Sequence, residues 1–228
     1  DEAHQFKSKS LVSIMTKLYD TKYRYGFTGT LDGTQTHKWV LEGLFGPSYK
    51  IVNTKELQEK GYLATLNIKV LLLKHEPTTF DTYEDEVQYL ITHEKRNKFI
   101  RNLAWDLKGN TLILYSRVAT HGEVLYDLIN KDERKIFFVH GGVDVEERES
   151  VRQITEQEND AIIIASFGTF STGINIKNLH NVIFASPSKS RIRTLQSIGR
   201  VLRKSKDKLN ATLYDIADDC KKKSKQNY

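Results

Sequence analysis

The sequence has few of the features that mark membrane, secreted or disulfide-stabilised proteins. Its 228 residues include one cysteine, Cys220, and 3 prolines. A single cysteine cannot form an internal disulfide bond, which favours a reducing compartment. No stretch approaches the ~18 uninterrupted apolar residues of a membrane span, since the longest apolar run is Ala161–Ala165. The first residues are acidic and polar, so we expect no secretory signal and a cytoplasmic protein without membrane partners.

Positive charge exceeds negative charge and is unevenly distributed along the chain. The net charge is +6, which is compatible with a polyanionic partner but does not establish one. The segment Lys189–Lys208 carries four arginines and four lysines, and Lys221–Lys225 adds four lysines. We expect the second cluster to be a solvated tail. The spacing within the first cluster is more organised.

From Thr111 onward, short apolar runs alternate with stretches of helical periodicity. The predicted strands are Leu112–Tyr115, Ile136–Val139, Ala161–Phe167, Val182–Ala185 and Ala211–Ile216. Between them, Asp144 and Glu147 resemble a capping pair that opens a helix. Strands that are apolar throughout and separated by helices indicate a parallel sheet covered on both faces. The sequence therefore predicts an α/β doubly wound domain.

The first part of the chain contains fewer strands. The predicted elements are a strand at Tyr25–Thr30, a helix at His37–Phe45, a strand at Leu63–Leu73 and a helical stretch at Thr82–Leu107. These strands are too few to close a stable sheet by themselves. We therefore expect the residues before Leu63 to be the last piece of a preceding domain.

Two carboxylates open the chain in the segment Asp1-Glu2-Ala3-His4. Phosphoryl transfer from a nucleotide needs a metal ion near the phosphates, an oriented water and cations that meet the developing charge. Adjacent carboxylates can divide the first two tasks, since one can hold the Mg²⁺ shell while the other polarises the water. Taken alone, an acidic pair near a terminus is more often solvated surface.

Cations are found near the other end of the chain, in the segment Gln196–Arg203. On a helix, Gln196, Arg200 and Arg203 stand at i, i+4 and i+7 and share one face. The predicted apolar stripe of that helix consists of Leu195, Ile198 and Leu202. A guanidinium suits phosphate better than an ammonium does, and an arginine aimed at a γ-phosphate is worth about 10³- to 10⁵-fold in rate. The alternative is an exposed basic helix face.

Small polar residues follow two of the predicted strands. Ser166–Asn175 comes directly after a buried strand, where open α/β sheets place ligands. Hydroxyl and glycine residues there expose backbone N–H groups that can hold phosphate. Thr28-Gly29-Thr30 is a similar turn. Ser166–Asn175 could equally be an ordinary polar turn, and Thr28–Thr30 taken alone is more often structural.

The order of these segments resembles that of motifs II to VI of the superfamily-two helicases. The five segments are Asp1–His4, Thr28–Thr30, Leu112–Arg117, Ser166–Asn175 and Gln196–Arg203. The form Gln-x-x-Gly-Arg-x-x-Arg resembles DNA-directed DExH translocases more than RNA helicases, and within them the bacteriophage recombination helicases that remodel branched DNA. The resemblance implies a RecA-like core. Residues 1–62 would be the C-terminal part of the first RecA-like domain, and residues 63–228 a complete second one.

The same resemblance implies ATP and Mg²⁺ as cofactors and assigns roles at the nucleotide. Asp1 would hold Mg²⁺ through water, and Glu2 would be the catalytic base. Arg203 would be the arginine finger, with Arg200 beside it at the γ-phosphate. The further residues implied in nucleotide binding are His4, Gln196, Gly173 and Asn175.

Other residues are implied in movement along DNA. Thr28 and Thr30 would couple hydrolysis to movement, and Gly173 and Asn175 would link the nucleotide to the nucleic-acid track. The candidates for contacts to the nucleic-acid phosphates are Ser116, Arg117, His140 and Thr169. We expect a monomer that acts on DNA in recombination, replication or repair, in the host cytoplasm if the gene is carried by a phage.

One motif of the family is missing. No Gly-x-x-x-x-Gly-Lys-Ser/Thr phosphate loop occurs in the sequence, and neither do the motifs that precede motif II. We therefore expect the chain to be a fragment of a longer helicase, with truncation at its other end also open. We expect the 228-residue chain by itself to hydrolyse no ATP and to bind nucleic acid weakly, with strong salt dependence.

Two alternatives to a DNA motor stay open. The chain could be a non-enzymatic nucleic-acid-binding module that keeps the fold, although such a module does not need Glu2, Arg200 or Arg203. It could also be an RNA helicase of the same superfamily, since motors that track the backbone carry little base-specific chemistry. The motifs do not set polarity, the preferred junction, or strand separation as opposed to translocation.

Overall fold

In the computed structural model, the described residues are 2–31, 33–130, 134–173, 176–188, 190–205 and 208–220. Their strands are β1 (Thr65–Lys74), β2 (Thr111–Tyr115), β3 (Ile136–Val139), β4 (Ile162–Ser166), β5 (Asn181–Phe184) and β6 (Asn210–Asp219). Their helices are α1 (Lys9–Lys17), α2 (Gln35–Phe45), α3 (Thr54–Glu59), α4 (Tyr83–Thr92), α5 (Glu94–Asp106), α6 (Glu123–Ile129), α7 (Val145–Gln157), α8 (Phe167–Gly173) and α9 (Arg191–Val201). A 3₁₀ turn lies at Ala3–Gln5 and a π turn at Val118–Gly122. No helix in these ranges is long and apolar enough to cross a membrane.

The strands form one parallel sheet in the order β1-β6-β5-β2-β4-β3. Every residue of β2 and β5 is buried. In β2, Leu112 and Leu114 enter one core cluster, whereas Ile113 and Tyr115 enter another. Alternate side chains of a strand point to opposite faces of the sheet, so the two clusters are its two faces. The predicted α/β fold with a covered parallel sheet is confirmed.

Helices cover both faces of the sheet. On one face, α7, α8 and α9 contribute Val151, Phe170 and Val201 to the core. On the other, α5 and α6 contribute Ile100 and Leu125. Burial of an apolar side chain of this size stabilises the fold by about 1.5–3 kcal/mol. The helices that carry motifs V and VI are therefore fixed to the sheet by their apolar sides.

The stretch Thr82–Leu107, predicted to be helical, is two helices separated at His93. Thr82 and Asp85 form a capping box at the start of α4, in which each side chain accepts the other's backbone N–H at 3.0–3.1 Å. His93 has an extended backbone, and its Nδ1 accepts the N–H of Arg96 at 3.2 Å. His93 therefore caps α5 as a serine or asparagine would, which apolar periodicity does not reveal.

Two local predictions were wrong. Tyr25–Thr30 forms no strand, although the carbonyl oxygen of Phe27 accepts the N–H of Ala3 at 2.9 Å. A strand needs a neighbour that pairs with its backbone groups, and none of the described strands lies beside this segment. Asp144 does precede α7, but its side chain accepts no capping hydrogen bond.

The first residues lie outside the sheet. Residues 2–62 contribute α1, α2 and α3 among the described elements, and β1 begins at Thr65, just after the predicted boundary between residues 62 and 63. β1 pairs with β6 along its whole length. The division into a partial and a complete RecA-like domain remains a prediction.

Candidate active site

Polar side chains gather where the parallel strands end. Ser116 follows β2, His140 follows β3, Ser166 ends β4, and Ser186 comes shortly after β5. Because the strands are parallel, their carboxyl ends meet at one edge of the sheet. Open α/β sheets bind their ligands at this edge, so it is the place to look for a site.

The acidic segment at the start of the chain is held by its backbone. The N–H of Ala3 donates to Phe27, and both Ala3 and His4 are buried. Glu2 has a left-handed backbone with φ 53°, which is uncommon for residues other than glycine and concentrates at functional sites. Asp1, the predicted Mg²⁺ ligand, lies outside the described residues.

His4 connects Glu2 with the threonine turn. The Thr28 hydroxyl donates its one proton to the carbonyl oxygen of Thr30 at 2.9 Å, so it must accept from His4 Nδ1, which lies 2.9 Å away. Nδ1 therefore carries a proton. Glu2 Oε2 lies 3.1 Å from the same nitrogen. A change in the position or charge of Glu2 therefore alters the hydrogen bond between His4 Nδ1 and the Thr28 hydroxyl.

Arg200 lies in electrostatic contact with groups from both ends of the chain. Burial lowers the pKa of its guanidinium, the neighbouring Arg203 charge lowers it further, and the carboxylate of Glu2 raises it. Coulomb interactions of this kind fall off with distance and with solvent exposure. The charges of Glu2 and Arg203, from the first and last motifs, thus act in opposite directions on the pKa of one partly buried cation.

The expected helical face of motif VI is only partly formed. Gln196 and Arg200 lie on α9, but α9 ends at Val201 and Arg203 lies beyond it. Arg203 instead forms an isolated antiparallel bridge with Leu63. The N–H of Ala64 also takes the carbonyl of Leu202 at 2.8 Å. Pairing with the chain just before β1 thus ends the helix early, and Arg203 is presented from a turn.

The predicted apolar stripe of α9 needs a further correction. Leu195 is 39% exposed, whereas Leu202 is buried and Ile198 packs against the core. The fully buried positions of the helix include Ser197 and Val201. The helix is therefore rotated relative to the predicted stripe, because its contact with the sheet is centred on Val201.

The segment after β4 is a helix rather than the predicted loop. Its residues Phe167–Gly173 form α8. Ser166 Oγ accepts the N–H of Thr169 at 3.1 Å and lies 2.7 Å from the Thr169 hydroxyl. Thr169 is 6% exposed, so its hydroxyl is committed to this contact. Gly173 is the last residue of α8, and Asn175 lies outside the described residues.

The remaining candidates for phosphate contact differ in availability. Ser116 is exposed. The Arg117 guanidinium donates to Gln88 Oε1 at 2.5 Å and forms an ion pair with Glu84, so helix α4 engages its charge. His140 Nδ1 accepts the N–H of Gly142 at 3.1 Å. A phosphate at Arg117 would have to take the place of these α4 side chains.

Sequence reasoning missed Lys208. It lies in a run of basic residues that looks solvent-exposed, yet it is 1% exposed. Its Nζ donates to the carbonyl oxygens of Val201 and Lys177, each at 2.7 Å. Burial lowers the pKa of this amine to about 8. Lys208 therefore closes the end of α9 and joins it to the segment that follows motif V. Nothing in the local sequence indicates this long-range contact.

The expected Mg²⁺ fits the kind of site that these residues can form. Within the described ranges, no group of three or more His, Cys, Asp or Glu side chains could hold a metal ion by itself. Mg²⁺ usually binds through one or two carboxylates together with the phosphates of its nucleotide. The predicted ligand, Asp1, is a carboxylate that directly precedes Glu2 in the sequence, and the charge of Glu2 acts on Arg200, a cation suited to phosphate.

Comparison with known families and proteins gives consistent matches. The family model described as the helicase conserved C-terminal domain matches residues 94–205. The ATP-dependent DNA helicase UvsW of Enterobacteria phage T4 is 37% identical over 99% of this chain and 46% of its own length. A protein of Acanthamoeba polyphaga mimivirus named as an ATP-dependent RNA helicase is 26% identical over 96% of this chain and 42% of its own length. The chain thus spans less than half the length of these relatives.

Solved structures agree with these matches. The crystal structure of T4 UvsW superposes with a TM-score of 0.59 and 33% identity, over 85% of this chain and 40% of that one. A DNA-bound restriction-modification enzyme, LlaBIII, superposes with a TM-score of 0.53 and 14% identity, over 85% of this chain and 14% of that one. The second likeness concerns the fold alone.

Proposed function

The chain belongs to superfamily two of the helicases, and we propose that the complete protein is an ATP-driven motor that acts on DNA. ATP would bind between two RecA-like domains, at the edge where the parallel strands end. Cycles of closure and opening would move the paired domains along a phosphate backbone. The proposed substrate is branched DNA in recombination, replication or repair.

The electrostatic effect of Glu2 on Arg200 carries this proposal. Phosphoryl transfer requires a group that orients the attacking water and a cation that meets charge on the γ-phosphate. Glu2 and Arg200 are groups of these two kinds, and the Glu2 carboxylate raises the pKa of Arg200 although the two residues lie far apart in the sequence. A binding module without catalysis would not need such a pair.

The proposed roles divide between the two halves of the site. Glu2 acts as the base for the attacking water, and Arg203 and Arg200 neutralise the γ-phosphate. His4 and Gln196 sense the nucleotide from opposite sides of the cleft. Bound Mg²⁺ would neutralise phosphate charge, with Asp1 as its water-mediated ligand. Gly173 and Asn175 are proposed to link this centre to the nucleic-acid track.

The choice of DNA over RNA is supported by the T4 relative, which is named as a DNA helicase. The mimivirus relative is named as an RNA helicase, so RNA is the second candidate. The test compares ATP hydrolysis by the complete protein in the presence of branched DNA, single-stranded DNA and RNA. We expect branched DNA to stimulate most. Stronger stimulation by RNA would favour the second candidate, and no stimulation by any of them would contradict the motor.

The link between His4 and Thr28 predicts the behaviour of a Thr28→Val variant of the complete protein. Valine keeps the shape of threonine but removes the hydroxyl that bonds to His4 and Thr30. We expect the amount of DNA unwound per ATP to fall about tenfold, since coupling between sites is typically worth 5- to 150-fold. ATP hydrolysis should fall far less. Both rates are measured on the same branched substrate.

The matched control for this prediction is Thr16→Val. Thr16 lies on α1, and its hydroxyl donates to the carbonyl oxygen of Val12, one turn back on the same helix, at 2.9 Å. We expect this variant to keep normal coupling. Equal losses in hydrolysis and unwinding for Thr28→Val would remove the coupling role from the threonine turn.

The protein's location and oligomeric state remain predictions. We expect the host cytoplasm if the gene is carried by a phage, and a monomer. The phosphate contacts of Ser116, Arg117, His140 and Thr169 are likewise proposals, and a phosphate at Thr169 would have to take the place of the Ser166 hydroxyl.

A further inference from the structure

A tight turn follows the end of strand β2, where motif IV lies. Residues Val118–Gly122 form a π turn before α6, a rare geometry that often marks functional sites. A side chain at Gly122 would place a Cβ 2.5 Å from the ring of Tyr115, so only glycine fits there. This close packing turns the preceding residue, His121, into the protein interior, where it is fully buried.

His121 lies in the middle of a chain of hydrogen bonds. Its Nδ1 is 2.8 Å from the Ser186 hydroxyl, which also accepts the backbone N–H of Ser116 at 3.1 Å. Its Nε2 is 3.2 Å from Asn97 Oδ1, and the Asn97 amide donates to the carbonyl of Ile91 at 2.8 Å. The chain thus runs from the end of β2, through the loop after β5, to α5 and the end of α4.

The groups at the two ends of this series of hydrogen bonds determine which atom donates and which accepts in each bond. The Asn97 amide nitrogen faces a carbonyl, so its oxygen faces His121, and Nε2 must carry the proton. Nδ1 is then an acceptor, and the Ser186 hydroxyl donates to it while accepting from the N–H of Ser116. Burial, together with the nearby Arg96 charge, lowers the pKa of His121 to about 3, so the ring is neutral at working pH.

The hydrogen bonds that link Ser116, Ser186, His121 and Asn97 form a relay, and this relay joins two parts of the proposed motor. Ser116 and Arg117 begin the loop proposed to contact nucleic-acid phosphate. Ser186 lies in the loop that leads directly into α9, which carries Gln196 and Arg200. Neither the Ser186 hydroxyl nor the His121 ring retains a spare donor for another partner. A shift of either loop therefore breaks at least one buried hydrogen bond, which is costly in a low-dielectric interior.

We propose that Asn97, His121 and Ser186 are positioning residues that fix the motif IV loop for contact with the nucleic-acid backbone. This inference rests on the proposed function, because it concerns the same nucleic-acid track. The relay does not touch the nucleic acid. It holds the backbone of Ser116 so that the exposed Ser116 hydroxyl and Arg117 keep their spacing relative to α9.

The test removes one hydroxyl from the relay with Ser186→Ala in the complete protein. We expect about fivefold weaker binding of single-stranded DNA, the equivalent of one ordinary hydrogen bond. The DNA concentration that gives half-maximal ATPase stimulation should rise, whereas the rate of ATP hydrolysis at saturating DNA should not change. A merely structural hydroxyl would not separate these two quantities.

The matched control is Thr155→Val. Thr155 is fully buried, and its hydroxyl donates to Val151 at 2.7 Å, on α7 and away from motif IV. We expect the two variants to lower the unfolding midpoint similarly, but only Ser186→Ala to weaken DNA binding. Equal DNA affinity in the two variants would overturn the positioning role.

A second measurement tests the relay without any activity. The nitrogen-15 shifts of the His121 ring in the 228-residue chain should show a neutral ring with the proton on Nε2, unchanged down to about pH 4. A proton on Nδ1, or titration near pH 6.5, would refute the relay. If the relay is present but the unaltered complete protein binds no nucleic acid, the proposed function fails and the positioning role fails with it.

Discussion

Replacing Arg203 by alanine in the complete protein is expected to lower nucleic-acid-stimulated ATP hydrolysis by about 10³- to 10⁵-fold, the range typical of an arginine finger. Arg203 emerges from a turn just beyond α9, in electrostatic contact with Arg200. Its backbone is fixed by the bridge to Leu63. A guanidinium held in this way acts mainly on charge that develops in the transition state. ATP binding should therefore change by no more than about threefold.

Two controls sharpen this prediction. Arg203→Lys keeps the charge but loses the planar guanidinium fork. We therefore expect a rate of ATP hydrolysis between those of Arg203→Ala and the unaltered protein. Arg152→Ala removes an arginine of α7 whose partner is Glu149, and we expect nearly normal hydrolysis. Measuring steady-state hydrolysis beside ATP affinity separates catalysis from binding. Retained turnover in Arg203→Ala would remove the finger role from this residue.

Replacing Glu2 by glutamine should abolish hydrolysis for a different reason. Glutamine keeps the size of glutamate and can still bond to His4, but it cannot take a proton from the attacking water. Loss of a general base typically costs about 10²- to 10⁴-fold in rate. We expect the variant to bind ATP and DNA normally and to accumulate the ATP-bound state, which single-turnover hydrolysis of labelled ATP would show.

The control for the Glu2 prediction is Glu42→Gln. Glu42 lies on α2 and accepts hydrogen bonds from the backbone N–H and hydroxyl of Ser48. The substitution Glu42→Gln removes the same charge from the same part of the chain but leaves the contacts of His4 unchanged. We expect full hydrolysis in this variant. If Glu2→Gln hydrolyses ATP as fast as Glu42→Gln, the base must be another residue.

The elements that could be predicted from sequence are those set by local chemistry. The run Ile162–Ile164 is β-branched and wholly apolar, which favours a buried strand, and β3 was found at its predicted bounds, Ile136–Val139. Tyr25–Thr30 contains aromatic and β-branched residues that favour strands, but it has no partner among the described strands. Strand pairing depends on segments that lie far apart in the sequence, so local composition cannot predict it.

The site could be predicted in its residue types but not in its geometry. Gln196 and Arg200 share a helix as expected, whereas Arg203 leaves it because of a bridge to Leu63. That bridge joins segments far apart in sequence, so no helical periodicity could reveal it. Lys208 and His121 were missed for the same reason, since their roles depend on carbonyls and hydroxyls supplied by distant elements.

The central claim is that the two ends of this chain form one catalytic centre, and a double variant tests it most directly. Single-turnover ATP hydrolysis would be measured in the complete protein with Glu2→Gln, Arg203→Ala and both changes together. When two residues act in the same step, removal of the second costs little once the first is gone. We therefore predict that the double variant is no slower than the slower single variant, within about tenfold. Losses that multiply would show two independent contributions and would contradict the shared centre.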